Sequence, residues 1–350
     1  MCICAKMFTT FSNALQRDSG AVAACVKLTL PQANSIRRND RLEQVMHLLA
    51  LLLNPAIVGT VALFLAVVWM LRDERDKTRP MLVFALTLNL FFGFLLTIFM
   101  SREGGLLPWK FDYVLVDLDQ SLGISAASIA RPLEGFTRVP LIVIYQVMVP
   151  MMIVWFFVTI KRNRRGSVVL AYVSELIAGP LLYAIFPACG PVYAFGAQWL
   201  HPPQVAAAAI KLVGMPNAFP SLHMATAFAF VLFAPGKLSR AVSLAFFAGT
   251  AMATLSTGEH YGIDLVAGLM FGCFAASVGY RRKRSAAAYL GIVLAWSLSV
   301  RFEYAFLIAH PLLLRTCALL TVAVAIFAVF KEWSLPKMSA PENLPGNHVG

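Results

Sequence analysis

Long apolar stretches recur along the chain, and that recurrence limits its fold more than any other feature. The bilayer core offers the backbone no hydrogen-bonding partners. A segment that enters it therefore crosses as a helix of about 20 mostly apolar residues. About nine stretches qualify: 48–71, 81–100, 139–160, 167–186, 219–234, 241–256, 261–278, 286–300 and 312–330. The 350 residues are 59% hydrophobic and 13% charged, whereas soluble domains carry about a quarter charged residues. A soluble globular protein is excluded. The expected fold class is all-α, a polytopic membrane helix bundle of about nine spans. No pattern repeats at a fixed period, and no shift in composition marks a soluble domain. The long polar flanks are the segment up to Arg41 and the tail after Trp333, whose Pro, Asn and Gly content predicts disorder. "MCICAK" begins no uninterrupted apolar run, so the start of the chain makes a poor secretory signal.

The formal net charge is +12, but its distribution sets topology and does not point to a nucleic-acid partner. Basic residues cluster in short loops: "RDERDKTR" at 72–79, "KRNRR" at 161–165, "GKLSR" at 236–240 and "RRKR" at 281–284. Alternating spans put all four on one side, as expected of cytoplasmic loops. The other side carries 101–138, with five acids against four bases, and 187–218, whose only formal cation is Lys211. The N-terminal segment conflicts with this alternation: it falls outside yet carries six Lys or Arg. An override of the rule, a break at Asn54-Pro55 and an interfacial helix before Pro55 each account for it. The six cysteines show no metal-ligand spacing. Neither a disulfide framework nor a metal site is expected, and the chemistry needs no cofactor.

This topology brings two polar stretches together. The span entered through "NAFPSLH" descends to the loop at Lys237, and the next climbs back to "STGEHYGIDLVAGL". His223 and His260 thus stand at one membrane level, one helical hairpin apart. His260 and Asp264 are four apart, within side-chain reach on a helix. A carboxylate so placed holds an imidazole in one tautomer and stabilises its protonated form. A second histidine supplies a proton donor. Nucleophile, orienting carboxylate and general acid together suit displacement at phosphorus or at acyl carbon. Pro220 fits a first helical turn. Ser221 and the first-turn amides offer an anion site there.

"FPSLH" followed by "HYGIDLVAG" resembles the second and third signature motifs of the type-2 phosphatidic acid phosphatase superfamily. The resemblance covers about 200 of the 350 residues, with six core helices between Met81 and Val278. Two of the superfamily's cation motifs are missing. No lysine has the K-x6-R-P spacing, Arg131-Pro132 lies one loop early, and Ala253-Thr254 stands where Ser-Arg is usual. "FPACGPVYAF" at 186–195 resembles the Pro-rich element of the inositol phosphorylceramide synthase branch. "VDLDQSLG" at 116–123 resembles the acidic loop of its bacterial members. The resemblance implies that His260 attacks phosphorus, that Asp264 orients it, and that His223 protonates the leaving alcohol and then activates the acceptor. Lys211, Arg131 or Arg138 would replace the missing cations, with Lys211 first. The implied substrate is a phospholipid or an isoprenoid phosphate, handled at the extracytoplasmic face of the inner membrane. Transfer to a lipid or polyol hydroxyl is the first reading and hydrolysis the second. A lipid-handling protein without chemistry is the third.

The expected division is a segment 1–44, an extra span and basic loop 45–80, the six-helix core 81–280, two further spans 281–333 and a tail 334–350. Glu175, an acid inside a span, is a functional suspect or the partner of a neighbouring helix. Arg301 and Glu303 are expected to pair at the outer interface. Trp109, Tyr113, Tyr193 and Trp199 fit interfacial belts.

Overall fold

The computed structural model describes residues 109–133, 139–162, 167–201, 210–211 and 216–334, with scattered helical positions between 61 and 98. The N-terminal segment, most of the spans at 48–71 and 81–100, Arg138 and the C-terminal tail lie outside the described residues. The elements are β1 (Trp109–Lys110), α1 (Asp112–Leu122), α2 (Ala126–Ala130), α3 (Val139–Gln146), α4 (Met148–Arg162), α5 (Val168–Ile185) and α6 (Pro191–Phe195). They continue with β2 (Ile210–Lys211), α7 (Leu222–Phe233), α8 (Lys237–Thr257), α9 (Gly262–Gly279), α10 (Lys283–Phe302), α11 (Tyr304–Ala309) and α12 (Pro311–Ser334). The fold is the expected all-α bundle. Among the described residues the single strand pairing is two residues long, with Trp109 opposite Lys211 and Lys110 opposite Ile210.

Among the described residues, five helices are long and apolar enough to cross a membrane: α5, α8, α9, α10 and α12. The stretch at 139–160, expected as one span, is bent by 51° between Val139–Gln146 and Pro150–Ile160. Pro150 lacks an N–H, and its ring crowds the carbonyl of Gln146 four residues back.

The basic residues at 237–240 and 281–284 gather at one end. There Arg282 is ion-paired with Glu332, and Arg240 lies over the Trp333 ring at 4.9 Å. Ser167, the N-cap of α5, donates its N–H to the carbonyl of Gly279 at 3.0 Å. The starts of α5, α8 and α10 therefore share a level with the ends of α7, α9 and α12. The opposite end carries the starts of α7 and α9.

A helix that is apolar all round has to be buried. Helix α9 is that helix, packed against α5, α7, α10 and α12. Its contact with α7 is a backbone contact. A Cβ on Gly268 would lie 2.7 Å from the Ser221 carbonyl oxygen, and one on Gly272 2.6 Å from that of Ala225. Small residues four apart allow this approach in a membrane, where packing holds helices together. Gly272→Leu is expected to force α7 off α9 and destabilise the fold by about 3 kcal/mol or more, read as a lowered melting temperature in detergent. Gly291→Leu meets open space at its Cβ and should melt like the native protein.

Helix α7 has only 12 residues, about 18 Å, against a hydrocarbon core of about 30 Å. Its flanks are covered by α5, α8, α9 and α12, and Met224 through Phe233 are all buried. The remaining depth is filled by the irregular chain 216–221, in which Ala218, Phe219 and Ser221 have no exposed surface. Non-helical backbone is tolerated at membrane depth when protein surrounds it. Pro220 thus sits two residues before the helix and not in its first turn, in a cis bond to Phe219, and Ser221 is the N-cap.

Candidate active site

Three irregular segments meet above α7 and α9: the turn before α6, the chain before α7 and the turn between α8 and α9. Backbone hydrogen bonds join them. Ala218 N–H donates to the Ala188 carbonyl at 2.9 Å, and Val192 N–H to the Gly258 carbonyl at 2.9 Å. Gly190 has φ +89°, and a Cβ there would lie 2.2 Å from the Glu259 carbonyl oxygen. No larger residue fits, so "FPACG" lies directly on "GEHYG".

These contacts fix His260, which is 3% exposed. Its Nδ1 lies 3.0 Å from the Ala218 carbonyl oxygen and 3.5 Å from Asp264 Oδ2. Its Nε2 lies 3.5 Å from His223 Nδ1. A carbonyl oxygen only accepts, so Nδ1 carries the hydrogen and the Nε2 lone pair faces His223. Burial is the larger influence on this imidazole, and the Ala218 bond opposes it; together they lower its pKa from 6.5 to about 4. His260 is therefore neutral at physiological pH. For a phosphodiester lipid, whose own charge is constant over this range, the acidic limb of kcat/KM is expected near pH 4, below the usual histidine region. A limb near 6.5 would show that the imidazole is not held dry.

His260 precedes α9, so its link to Asp264 is not the helical one that the spacing suggests. Asp264 Oδ2 accepts the Tyr261 N–H at 2.8 Å, which caps the helix start and leaves the imidazole as its second neighbour. Asp264 Oδ1 is buried without a hydrogen-bond partner. His223 is half-buried and stacks on Tyr145 of α3, with centroids 4.6 Å apart. Ala218 and Tyr145 were not singled out in the sequence. A backbone carbonyl has no sequence signature, and Tyr145 sits in an ordinary apolar stretch.

The other expected site residues divide. Ser221 is fully buried, and its hydroxyl oxygen accepts the Met224 N–H at 3.2 Å. Arg131 donates to the Leu200 carbonyl, with Nη2 at 2.7 Å, and no described contact joins it to the histidines. Lys211 lies in β2 opposite Trp109, its side chain outside the described residues, as is all of Arg138. Where the superfamily usually has an arginine, the Thr254 carbonyl closes the turn, accepting from Glu259 at 3.0 Å and His260 at 3.3 Å. Lys110, a cation not weighed from the sequence, is wholly buried. Its charge opposes the upward push that burial gives the Cys189 thiol.

Glu175 accepts from the Thr226 hydroxyl at 2.7 Å, the helix-partner reading. Arg301 donates to the Ile185 carbonyl and lies over Phe111, so it ties α10 to α5. Trp199 is 2% exposed and packs on Gly258, inside the protein and not in an interfacial belt. No group of three or more His, Cys, Asp or Glu suited to a metal ion occurs among the described residues.

Residues 113–278 match the family model of the PAP2 superfamily. The match runs from α1 to the end of α9, just under half of the chain, and contains both histidines and Asp264. No curated protein and no solved structure matches the chain. The segment is a PAP2-superfamily domain, and the chain is a multi-pass membrane enzyme of the phosphatase or phosphotransferase type.

Proposed function

We propose that the chain is a lipid phosphotransferase working through a phosphohistidine on His260, with an activity like that of the inositol phosphorylceramide synthases. The observation that carries this reading is the His260 tautomer: Nδ1–H engaged by the Ala218 carbonyl at 3.0 Å, Nε2 directed at His223. In the first half-reaction the Nε2 lone pair forms an N–P bond. The bond from phosphorus to the leaving alkoxide breaks, and His223 gives that oxygen a proton. Asp264 and the Ala218 carbonyl steady the Nδ1–H as positive charge grows on the ring. In the second half-reaction His223 takes the proton of the acceptor hydroxyl, whose oxygen attacks phosphorus as the N–P bond breaks.

The reacting atoms need about 3 Å between nucleophile and phosphorus, and about 3 Å between leaving oxygen and proton donor. The two facing ring nitrogens, 3.5 Å apart, must separate to admit the phosphoryl group. His260 is held at Nδ1 by the Ala218 carbonyl and Asp264, whereas His223 is half-buried and packs on the Tyr145 and His260 rings. His223 is the side chain that moves.

Burial supports transfer over hydrolysis, because a site from which bulk water is shut out leaves the intermediate to a hydroxyl that enters with its own lipid. The site belongs at the extracytoplasmic face of the inner membrane, opposite the basic loops. Incubation with a panel of labelled phospholipids, phosphatidylinositol included, with and without long-chain alcohol acceptors, tests this. A new phosphodiester lipid is expected. Release of a water-soluble phosphate (inositol phosphate from phosphatidylinositol, free phosphate from a phosphomonoester lipid) at the same rate with and without acceptor would make the protein a hydrolase.

A further inference from the structure

Helix α1 carries two carboxylates seven residues apart, on one face and about 10 Å from each other. Both are buried: Asp112 is 0% and Asp119 2% exposed. Neither faces the lipid. Asp112 accepts the N–H groups of Cys189, at 3.1 Å to Oδ1, and Gly190, at 3.0 Å. It also accepts the Tyr261 hydroxyl at 2.7 Å. Asp119 accepts the N–H groups of Gly262 at 2.7 Å and Ile263 at 2.9 Å. These partners are 77 to 149 residues away in sequence. They belong to the two segments that enclose His260: the turn before α6 and the start of α9.

Buried carboxylates are costly, and an apolar side chain would pack there more cheaply. Burial pushes Asp112 up to about 6 despite its three kinds of donor. It pushes Asp119 well above the usual range, with the nearby Asp264 charge adding to the rise. The return on that cost is geometric. Each carboxylate binds two adjacent amides at once, and a rigid helix fixes the distance between the pairs. The helix is itself anchored, through Leu115 and Leu118 in the core and through Arg315 of α12, whose Nε donates to the Ser121 carbonyl at 2.9 Å.

We propose that Asp112 and Asp119 are positioning residues that make α1 a ruler, holding the His260 turn at a fixed distance from the "ACG" turn and so aiming Nε2 at His223. Asp119 also occupies the first amides of α9. The effect on turnover rests on the phosphohistidine reaction proposed above; the effect on His260 itself does not.

The experiment measures both in the full-length protein in lipid nanodiscs. Diethyl pyrocarbonate acylates neutral imidazole, and mass spectrometry gives the rate at each histidine without any substrate. Asp112→Asn and Asp119→Asn keep the side-chain shape but turn one acceptor into a donor facing an N–H. Each is expected to raise labelling of His260 about tenfold, with the exposed His310 unchanged and the melting temperature within a few degrees of native. With a labelled phosphatidylinositol probe, kcat should fall about 10- to 100-fold, the cost of misplacing a nucleophile by about 1 Å, with KM little changed. Asp117→Asn, on the same helix but partly exposed, should alter neither. Native labelling of His260 in both variants would overturn the proposal. So would labelling that rises equally at His310 or in step with lost thermal stability. A native protein that turns over no lipid would count against the proposed function, and the labelling would still decide the ruler.

Discussion

His260→Ala is expected to lower lipid turnover roughly 10⁴- to 10⁶-fold, the range seen when a nucleophile acting with a base is removed, while the protein still inserts and folds. The size of the effect follows from the chemistry. No other described side chain presents a neutral imidazole lone pair to the same point; His223, whose Nδ1 is 3.5 Å away, stacks on Tyr145. The fold should survive. Helix α9 is fixed by its backbone contacts with α7 and by Asp264 at its cap. The loss to stability is that of one buried ring and its bond to Ala218. Turnover per folded molecule is the quantity to compare, with His310→Ala as the control, because that histidine is exposed at the end of α11.

The second large effect distinguishes the two histidines. His223→Ala is expected to slow transfer from an ordinary phospholipid about 10²- to 10⁴-fold, the usual share of general acid–base catalysis. A donor with an acidic leaving group, such as a nitrophenyl phosphodiester, needs no proton at the leaving oxygen. With it, formation of the phosphoenzyme should return to near the native rate, and the second half-reaction, in which His223 acts as base, should become limiting. His260→Ala should be equally inactive with both donors. Recovery in the His260 variant, or none in the His223 variant, would mean that the roles are exchanged or absent.

The bundle was legible because lipid demands helices of a certain length, and basic loops mark one side. The pairing of His223 with His260 followed from that topology, one hairpin apart, before any distance was known. The i,i+4 relation of His260 to Asp264 was legible as proximity but misread as a helical face. The helix begins only at Gly262, and Asp264 caps it. What the sequence did not show was backbone or long-range. The Ala218 carbonyl is the first partner of His260, and any residue supplies a carbonyl. Asp112 and Asp119 meet donors more than 70 residues away, so in sequence Asp112 stands out only as an acid in an apolar setting and Asp119 only as part of "VDLDQSLG". The bend at Pro150 was signalled by the proline itself, yet hydropathy alone carried the span through it. The superfamily's cation motifs are absent from the sequence and from the described site, where the Thr254 carbonyl occupies one of their places.

The central claim is a covalent bond between His260 Nε2 and phosphorus, and trapping it is the most direct measurement. Full-length protein would be mixed with phosphatidylinositol labelled at phosphorus, quenched in alkali within the first turnover, and digested for mass mapping. A phosphohistidine survives alkali and is lost in acid. Label should map to His260 and disappear in His260→Ala. In Asp264→Asn it should build more slowly, because the carboxylate that steadies the Nδ1–H is gone. Full turnover without label on His260, or label on any other residue, would contradict the mechanism.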